Sequence, residues 1–179
     1  MYNVLWILNK YNLRNSKEKH FLDFLLSLKE YCHQCGVNLI YIRFSESKLN
    51  DKIVFPVSET FDAILNMEVI EHVADPQAFM SACGQLMRPQ AIMFLATLNR
   101  SMKAFALAII GAEYVLRWLP RGTHEWDKFI TPKELENIAD KAGLELFTST
   151  GVSFNPLTDK WRQSGDMSVN YMAVARKAS

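Results

Sequence analysis

Apolar and β-branched residues cluster along the chain into short runs that are typical of β-strands. The clearest run extends from Phe61 to Leu65 and has the composition of a strand buried on both faces. A second run, at residues 4–8, fits either a strand or a short helix. The remaining predicted strands are residues 38–44, 91–97, 144–152 and 168–176.

Helical periodicity occupies the segments between these runs. Apolar residues recur at helical spacing through residues 21–28. Asp75 and Pro76 are typical of a helix start, and the apolar positions that follow are Phe79, Met80, Cys83, Leu86 and Met87. A further helix begins at Thr131 and is ended by Gly143. The order of strand, helix and strand, then a helical insert, then a helix and two strands predicts the second half of a doubly wound α/β domain.

Three polar side chains follow the strand that begins at Phe61. Glu68, Glu71 and His72 fall close together in sequence, at the carboxyl end of a predicted strand, where open α/β sheets bind ligands. Carboxylate oxygens suit magnesium, and an imidazole extends the choice to manganese, iron or zinc. The pattern is compatible with a divalent-metal site, but the spacing alone is not specific for one. The alternative is a solvated helix start whose acidic residues complement the helix dipole.

Residues 98–121 form the segment of most unusual composition. Its centre, residues 104–110, is uninterruptedly apolar. The flanking basic and aromatic residues are Arg100, Lys103, Tyr114, Arg117, Trp118 and Arg121. This composition is typical of a helix that lies in a membrane interface, and a helix or lid that covers the protein core is the alternative. No segment reaches the roughly 18 to 20 apolar residues of a membrane span.

Composition narrows the class of protein. A chain of 179 residues with 49% hydrophobic content can bury one core and predicts one domain. A net charge of +1 gives no electrostatic reason for binding nucleic acid. Three cysteines do not suit a secreted disulfide framework, and Cys32 and Cys35 lack the second ligand pair of a structural zinc site. The cysteine count therefore makes a reducing compartment the expectation, and the first residues lack the charged leader of a signal peptide.

Four stretches of the chain match a known pattern, reading FDAILNMEVIEHVADPQAF, LNRSMKAFALAIIGAEYVLRWLPRGTHEWDKFITPKEL, FNPLTDKW and VNYMAVA. Together they resemble the ubiquinone-biosynthesis O-methyltransferases, a branch of the class I S-adenosylmethionine-dependent methyltransferases. The resemblance covers roughly residues 31–176, and the stretch GAEYVLRWLPRGTH is specific to this branch. It implies an α/β fold with a Rossmann-like class I methyltransferase sheet, incomplete on the side of the first and second strands, and a helical insert at 98–121.

The resemblance also implies roles for individual residues. Met67 resembles the residue just after the fourth strand of the family that contacts the cofactor, S-adenosylmethionine. Glu68, Glu71 and His72 resemble the family's divalent-metal ligands, and magnesium is the expected metal. Residues 98–121 resemble the segment by which these enzymes sit on a phospholipid surface and admit a polyprenylated substrate.

These residues suit the chemistry that the resemblance implies, which is methylation of a hydroxyl of a polyprenylated catechol or of demethylubiquinol. A metal held by Glu68, Glu71 and His72 would bind adjacent substrate oxygens and lower the pKa of the attacking hydroxyl. The oxygen then attacks the sulfonium methyl in line, and positioning supplies most of the rate. His72 acting as a general base, instead of as a metal ligand, is the alternative assignment.

The chain departs from the family pattern near its N-terminus. Class I methyltransferases bind the cofactor with a glycine-rich turn after the first strand, but no two of the seven glycines here form a Gly-x-Gly. The acidic residue that follows the second strand in such folds has no counterpart either. We therefore expect residues 1–30 to be atypical, residues 31–179 to be the C-terminal part of a methyltransferase domain, and the chain to be N-terminally truncated or rearranged.

These departures have two expected consequences for the sheet. The strand at Phe61 would have an unpaired edge unless residues 4–8 pair with it. The turn from Arg88 to Ala91 replaces the Pro-Gly-Gly that is usual in the family. If that turn needs a positive φ, Gln90 or Ala91 adopts it at a cost of about 1 kcal/mol or more.

Two functions from different classes are compatible with the sequence. The first is a methyltransferase in a bacterial cytoplasm, peripheral at the inner membrane, with the mitochondrial matrix face as the alternative compartment. The second is a catalytically inactive family fragment that binds a membrane surface or other quinone-biosynthesis proteins, which the missing glycine turn favours. A metal-dependent hydrolase using the same three ligands is a third reading, but it lacks a nearby ligand pair for a second metal.

Overall fold

The computed structural model describes residues 2–9, 30, 32–35, 37–44, 60–107, 125–155, 158 and 160–178. The predicted helix at residues 21–28 lies outside these residues, as does the part of the predicted insert from 108 to 121. Within the described residues, the main feature is a mixed sheet with helices packed on it.

The sheet has seven strands in the order β2-β1-β3-β4-β7-β5-β6. Their bounds are β1 Tyr2–Asn9, β2 Val37–Phe44, β3 Phe61–Met67, β4 Met87–Leu98, β5 Leu144–Asn155, β6 Lys160–Ser164 and β7 Asn170–Lys177. The first four strands in this order are parallel to one another. Strand β7 is antiparallel to both β4 and β5, and β5 is antiparallel to β6. The α/β fold class implied by the sequence is therefore confirmed.

Strand β1 occupies the edge of β3 that the sequence left open. Val4 pairs with Ala63, and Ile7 pairs with Asn66, in parallel register. On its other side, β1 pairs along its whole length with β2, beginning at Tyr2 and Val37. The run at residues 4–8 is thus a strand, and its pairing satisfies backbone groups that would otherwise face solvent at a long apolar edge.

The helices follow the start patterns in the sequence. The bounds are α1 Pro76–Leu86, the short α2 Met102–Ala104 and α3 Pro132–Lys141, and 3-10 turns span Ile70–His72 and Trp126–Lys128. The Asp75 side chain accepts a hydrogen bond of 3.0 Å from the Ala78 amide at the start of α1. Thr131 and Glu134 form a capping box at the start of α3. Gly143 has a φ of 74° just after α3, where it ends the helix as predicted.

The core lies between one face of the sheet and helices α1 and α3. The largest buried side chains contributed by the sheet are Leu5, Ile7, Phe61, Ile64, Met87, Met93 and Tyr171. Helices α1 and α3 cover them with Phe79, Met80, Cys83, Leu135 and Ala139. Gly84 allows the two helices to approach closely, because a Cβ there would lie 3.1 Å from the carbonyl oxygen of Ala142. A methyl group at this contact would therefore require the end of α3 to shift by a few tenths of an ångström.

The first residues of β4 contain the positive φ angle that the sequence analysis considered for Gln90 or Ala91. Gln90 has a φ of 64°, in the left-handed region that favours glycine. The register between β3 and β4 shifts at this point, since Phe61 pairs with Met87 and Ala63 pairs with Ile92. Gln90 thus occupies the extra length of β4 that the irregularity creates.

The segment after β5 differs from its prediction. The sequence predicts no strand between residues 152 and 168, but Trp161 lies in β6, which pairs with β5 through Phe154 and Trp161. Strand β6 lies at the edge of the sheet and is largely exposed. Its short length and charged residues suit an edge strand, and they remove the apolar alternation by which sequence patterns reveal strands. Met87, which the sequence pattern includes among the apolar positions of the preceding helix, instead begins β4.

Candidate functional site

The candidate site lies where β3 and β4 end at the carboxyl edge of the parallel strands. After β3, Glu68 turns the chain with a φ of 53°, and its backbone N–H donates to the carbonyl oxygen of Ala96 at 2.8 Å. The 3-10 turn Ile70–His72 follows, and Val69 and Ile70 are buried in the core. Burial of these two apolar side chains holds the turn against the core, and it places the next residue, Glu71, inside the protein.

Glu71 is buried at 2% exposure. The hydroxyl of Thr97, near the end of β4, donates a hydrogen bond of 2.8 Å to Oε2 of Glu71. Within the part of the chain that the structure describes, Oε1 is buried with no hydrogen-bond partner. A buried carboxyl oxygen of this kind is costly unless it is protonated or meets a ligand or water.

The environment of Glu71 controls its protonation. Burial raises the pKa of Glu71 to about 8, and the negative charge of Glu68 acts in the same direction. Hydrogen bonds from its own backbone and from Thr97 act in the opposite direction. The carboxyl group is therefore mostly protonated at neutral pH. A proton on Oε1 would be available for donation, because Oε2 already accepts from Thr97.

Asn66 adds a second buried polar group beneath this corner. It is 0% exposed, and neither its amide nitrogen nor its amide oxygen has a hydrogen-bond partner among the described residues. Its register partners are Ile7 in β1 and Leu95 in β4, and Leu95 precedes Thr97 by two residues on the same face of the sheet. Asn66 and Thr97 thus lie on the core face that Glu71 enters.

Sequence reasoning missed both Asn66 and Thr97. Each is a polar residue at an alternating position of an otherwise apolar strand, and that pattern was present in FDAILNM and AIMFLATL. A polar residue on the buried face of a strand is uncommon unless it is hydrogen-bonded or functional. The pattern could therefore have identified both positions, but it could not have identified their partners.

The other predicted site residues are distributed around this corner. Met67 is the last residue of β3, is half-buried, and pairs with Ala96 in β4. His72 is half-buried in the 3-10 turn, and its backbone N–H donates to Val69 at 2.9 Å. Glu68 is exposed. The structure thus directs Glu71 into the core and leaves Glu68 at the surface.

The three predicted metal ligands are not gathered into one group in this arrangement. Among the described residues, no group of three His, Cys, Asp or Glu side chains is arranged to hold one. Two carboxylates and an imidazole are suitable donors in type, but a metal requires them to be deprotonated and convergent. Glu71 is instead mostly neutral and faces Thr97.

A cleft of about 250 Å³ opens beside the same corner. Its lining residues are Pro76, Arg100, Ile130, Glu134, Asn137 and Ile138. Arg100 forms an ion pair with Glu134 and donates to the backbone carbonyl of Asp127 at 3.1 Å. Burial raises the pKa of Glu134, but the hydrogen bonds from Thr131 and the pairing with Arg100 lower it. The net result is a pKa below the usual range. The positive charge of Arg100 and the negative charge of Glu134 therefore compensate each other in the wall of the cleft.

The predicted insert begins with a well-anchored turn. The backbone carbonyl of Ser101 accepts a hydrogen bond of 3.2 Å from the Trp126 indole, and Phe105 meets Trp126 edge to face with ring centroids 6.2 Å apart. Met102 and Leu107 are nevertheless 73% and 53% exposed. No helix of the described residues is long and apolar enough to span a membrane.

Comparisons with known proteins agree with this architecture. A family model described as a methyltransferase domain matches residues 11–149. The chain is 65% identical over 120 residues to the ubiquinone biosynthesis O-methyltransferase of Parvibaculum lavamentivorans, covering 67% of this chain and 47% of that protein. It is 48% identical over 149 residues to the protein of the same name from Brucella anthropi, covering 83% and 58% respectively. The resemblance inferred from the sequence motifs is confirmed.

A solved structure supports the fold independently of sequence. The plantazolicin methyltransferase BamL matches with a TM-score of 0.58 at 14% identity, covering 99% of this chain and 77% of that chain. The chain spans about half the length of the curated relatives that it matches, such as the Parvibaculum protein.

Proposed function

The chain belongs to the methyltransferase-domain family. We propose that it acts as an S-adenosylmethionine-dependent O-methyltransferase of ubiquinone biosynthesis. The proposed reaction methylates a hydroxyl of a polyprenylated catechol or of demethylubiquinol. The observation that carries the proposal is the 65% identity to a ubiquinone biosynthesis O-methyltransferase. The buried polar groups at the carboxyl edge of β3 and β4 support it, because ligands of such sheets bind there.

The cofactor and the site residues have separate tasks in the proposed reaction. Bound S-adenosylmethionine supplies an electrophilic methyl group on a sulfonium. Met67, half-buried at the end of β3, offers the cofactor an apolar contact. The chain's contribution to rate is then mainly the alignment of the substrate oxygen with that methyl group.

Proton transfer in the proposed reaction falls to His72. The substrate hydroxyl loses its proton to the imidazole as its oxygen forms the new bond to carbon. Glu71, mostly protonated and held by Thr97, keeps a neutral hydrogen-bonding group below the turn. Val69 and Ile70 are fully buried beside it, so they exclude water from the inner side of the site.

Calorimetric titration of S-adenosylhomocysteine into the full chain tests cofactor binding. We expect micromolar binding, weakened about tenfold or more by Met67→Lys, because the charge disrupts an apolar contact. Met102→Lys is the matched control, since Met102 is an exposed methionine outside this corner. No binding up to millimolar ligand by a chain that circular dichroism shows to be folded would contradict the proposal.

Methyl transfer to a short-chain prenylated catechol tests the reaction itself. We expect His72→Asn to lower kcat and to leave the affinity for S-adenosylhomocysteine unchanged, because the variant removes the base and keeps the shape. A wild-type chain that binds the cofactor product but transfers no methyl group would leave the fold and family intact and reject catalysis by this chain.

Metal binding at Glu68, Glu71 and His72 remains a separate prediction. Titration with manganese, followed by its electron paramagnetic resonance, measures it directly. If the prediction holds, Glu71→Gln abolishes binding, and Glu136→Gln, an exposed change on α3, leaves it intact. Equal manganese affinity for all three chains would reject these ligands.

A second function, binding to a membrane surface without catalysis, is favoured by the exposed apolar side chains at the start of the insert. Met102 and Leu107 are exposed on either side of Lys103, which suits contact with acyl chains and anionic headgroups. The corresponding location is the cytoplasmic face of an inner membrane. Other quinone-biosynthesis proteins are the alternative partners for this surface.

Sedimentation with vesicles that contain anionic phospholipid tests this surface. We expect Leu107→Glu to reduce the bound fraction several-fold. Phe147→Glu is the matched control, because Phe147 is similarly exposed on β5. An equal loss from both variants would indicate nonspecific hydrophobic binding and contradict the assignment to the insert.

A further inference from the structure

Cys32 and Cys35 lie at a tight turn immediately before β2. Residues 32–34 are helical, and the backbone N–H of Cys35 donates to the carbonyl oxygen of Cys32 at 3.1 Å. This bond closes a turn of four residues. Strand β2 then begins at Val37, beside the first residues of β1.

The turn brings the two cysteines to a separation that suits a disulfide. In a helical turn, residues three apart have Cα atoms about 5 Å apart and Cβ atoms about 5 to 6 Å apart. Disulfides span Cα separations of about 4.4 to 6.8 Å. A disulfide also requires Cβ atoms about 3.5 to 4.5 Å apart, so a local adjustment of about 1 to 2 Å at this turn joins Cys32 and Cys35.

Both thiols are accessible, and the third cysteine is not. Cys35 is exposed, Cys32 is half-buried and Cys83 is fully buried in the core; all three are free thiols in this structure. Burial also raises the pKa of the Cys83 thiol, which suppresses its reactive thiolate form. Thiol chemistry with solutes is thus confined to the pair at the turn.

Metal binding is a poorer explanation for this pair. Structural zinc sites use four ligands, and no group of three or more His, Cys, Asp or Glu residues that could hold a metal ion is found among the described residues. A Cys-x-x-Cys pair with no further ligands is typical of dithiol chemistry.

We propose that Cys32 and Cys35 form a reversible redox pair, oxidised to an intrachain disulfide by a small-molecule disulfide such as oxidised glutathione. One thiolate attacks the glutathione disulfide, forms a mixed disulfide and releases one reduced glutathione. The second thiolate displaces the other glutathione. The two cysteines lose two electrons and two protons in total, and both are recovered in two molecules of reduced glutathione. The result is a covalent closure of the turn that leads into β2.

The test equilibrates the full chain in buffers of stepped reduced-to-oxidised glutathione ratio, followed by acid quenching, denaturation, alkylation and intact mass measurement. At the reducing limit we expect all three cysteines to be alkylated. At the oxidising limit we expect only one alkylated cysteine, no bound glutathione, and a Cys32–Cys35 cross-link after digestion. Returning the sample to the reducing buffer restores the first pattern.

Two variants separate the pair from other thiol chemistry. Cys83→Ser keeps the cross-link, and Cys35→Ser loses it and accumulates a glutathione adduct at Cys32 instead. Three free thiols across the whole range, stable glutathione adducts on the wild-type pair, or a cross-link that involves Cys83 or a second chain would each overturn the proposal. None of these results depends on methyltransferase activity or on cofactor binding.

Discussion

The two ends of strand β3 carry carboxyl groups in opposite states. At the amino end, the Asp62 carboxylate accepts a hydrogen bond of 2.7 Å from the backbone N–H of Asn3 in β1. It also accepts two hydrogen bonds of 2.8 Å from the Arg88 guanidinium. Beyond the carboxyl end, Glu71 has one donor, Thr97, and a second oxygen with no partner among the described residues.

The difference separates a structural group from a candidate functional one. The Asn3 hydrogen bond, together with Arg88, holds the pKa of Asp62 below its usual range, whereas burial raises the pKa of Glu71 to about 8. Asp62 therefore stabilises the contact among three strands as a carboxylate. Glu71 leaves hydrogen-bonding capacity unused in the interior, which stable structures rarely do without a ligand, a water or a function.

Removing the satisfied carboxylate is the largest expected disruption. Asp62→Ala deletes a charge-assisted bond to Asn3 and both bonds to Arg88. We expect the free energy of unfolding to fall by about 2 kcal/mol, with solvent screening at the partly exposed Arg88 limiting the loss. Urea denaturation measures it. Asp140→Ala, an exposed change on α3, is the control, and an equal effect of both variants would show that Asp62 does not join the strands.

Removing the single donor of the other carboxyl is expected to have a somewhat smaller effect. Thr97→Val keeps the side-chain shape and leaves Oε2 of Glu71 buried without its 2.8 Å donor. We expect a loss of about 1.5 kcal/mol in the free energy of unfolding. Thr97→Ser, which retains a hydroxyl, should recover most of it. A serine variant as unstable as the valine variant would assign the effect to packing instead of to the hydrogen bond.

The start of β4, next to Arg88, provides a stabilising change. Gln90→Gly relieves a left-handed conformation that is unfavourable for residues with a Cβ. We expect the free energy of unfolding to rise by about 1 kcal/mol, measured by urea denaturation. Gln85→Gly, inside α1, should instead lower it, because glycine disfavours helix interiors. Destabilisation by Gln90→Gly would mean that its side chain contributes more than the strain costs.

Acid titration is expected to reveal the smallest effect. Asp62 has a folded-state pKa below its ordinary value of 3.8, so the folded chain binds fewer protons there than the unfolded chain does. Its stabilisation is present above that ordinary value and is lost as pH falls through the folded-state pKa. We therefore expect the stability difference between wild type and Asp62→Asn to shrink below about pH 4. A constant difference between pH 3 and 6 would contradict this assignment.

Local sequence patterns were sufficient to predict the strand and the helix on either side of the candidate site, β3 and α1. The apolar run from Phe61 gives β3, and Asp75 with Pro76 gives the start of α1, because strand burial and helix capping depend on neighbouring residues. The pairing of β1 with β3 could be inferred because an apolar edge requires a partner.

Other features depend on residues that are distant in sequence. The bond between Glu71 and Thr97 joins positions 26 residues apart, and only the register of β3 and β4 brings them together. The orientation of Glu71 into the core follows from the burial of Val69 and Ile70. A pattern of two acids and a histidine does not contain that orientation.

The position of β1 between β2 and β3 has a consequence for synthesis on the ribosome. Val4 is synthesised before either of its partners, Leu39 and Ala63. At translation rates of roughly 5 to 20 residues per second, the strand waits on the order of seconds with both edges unpaired. Strand β1 is thus the first of the four parallel strands to be made, and it gains its second neighbour only after β3 has been synthesised. An apolar strand that is unpaired during this interval is exposed to aggregation.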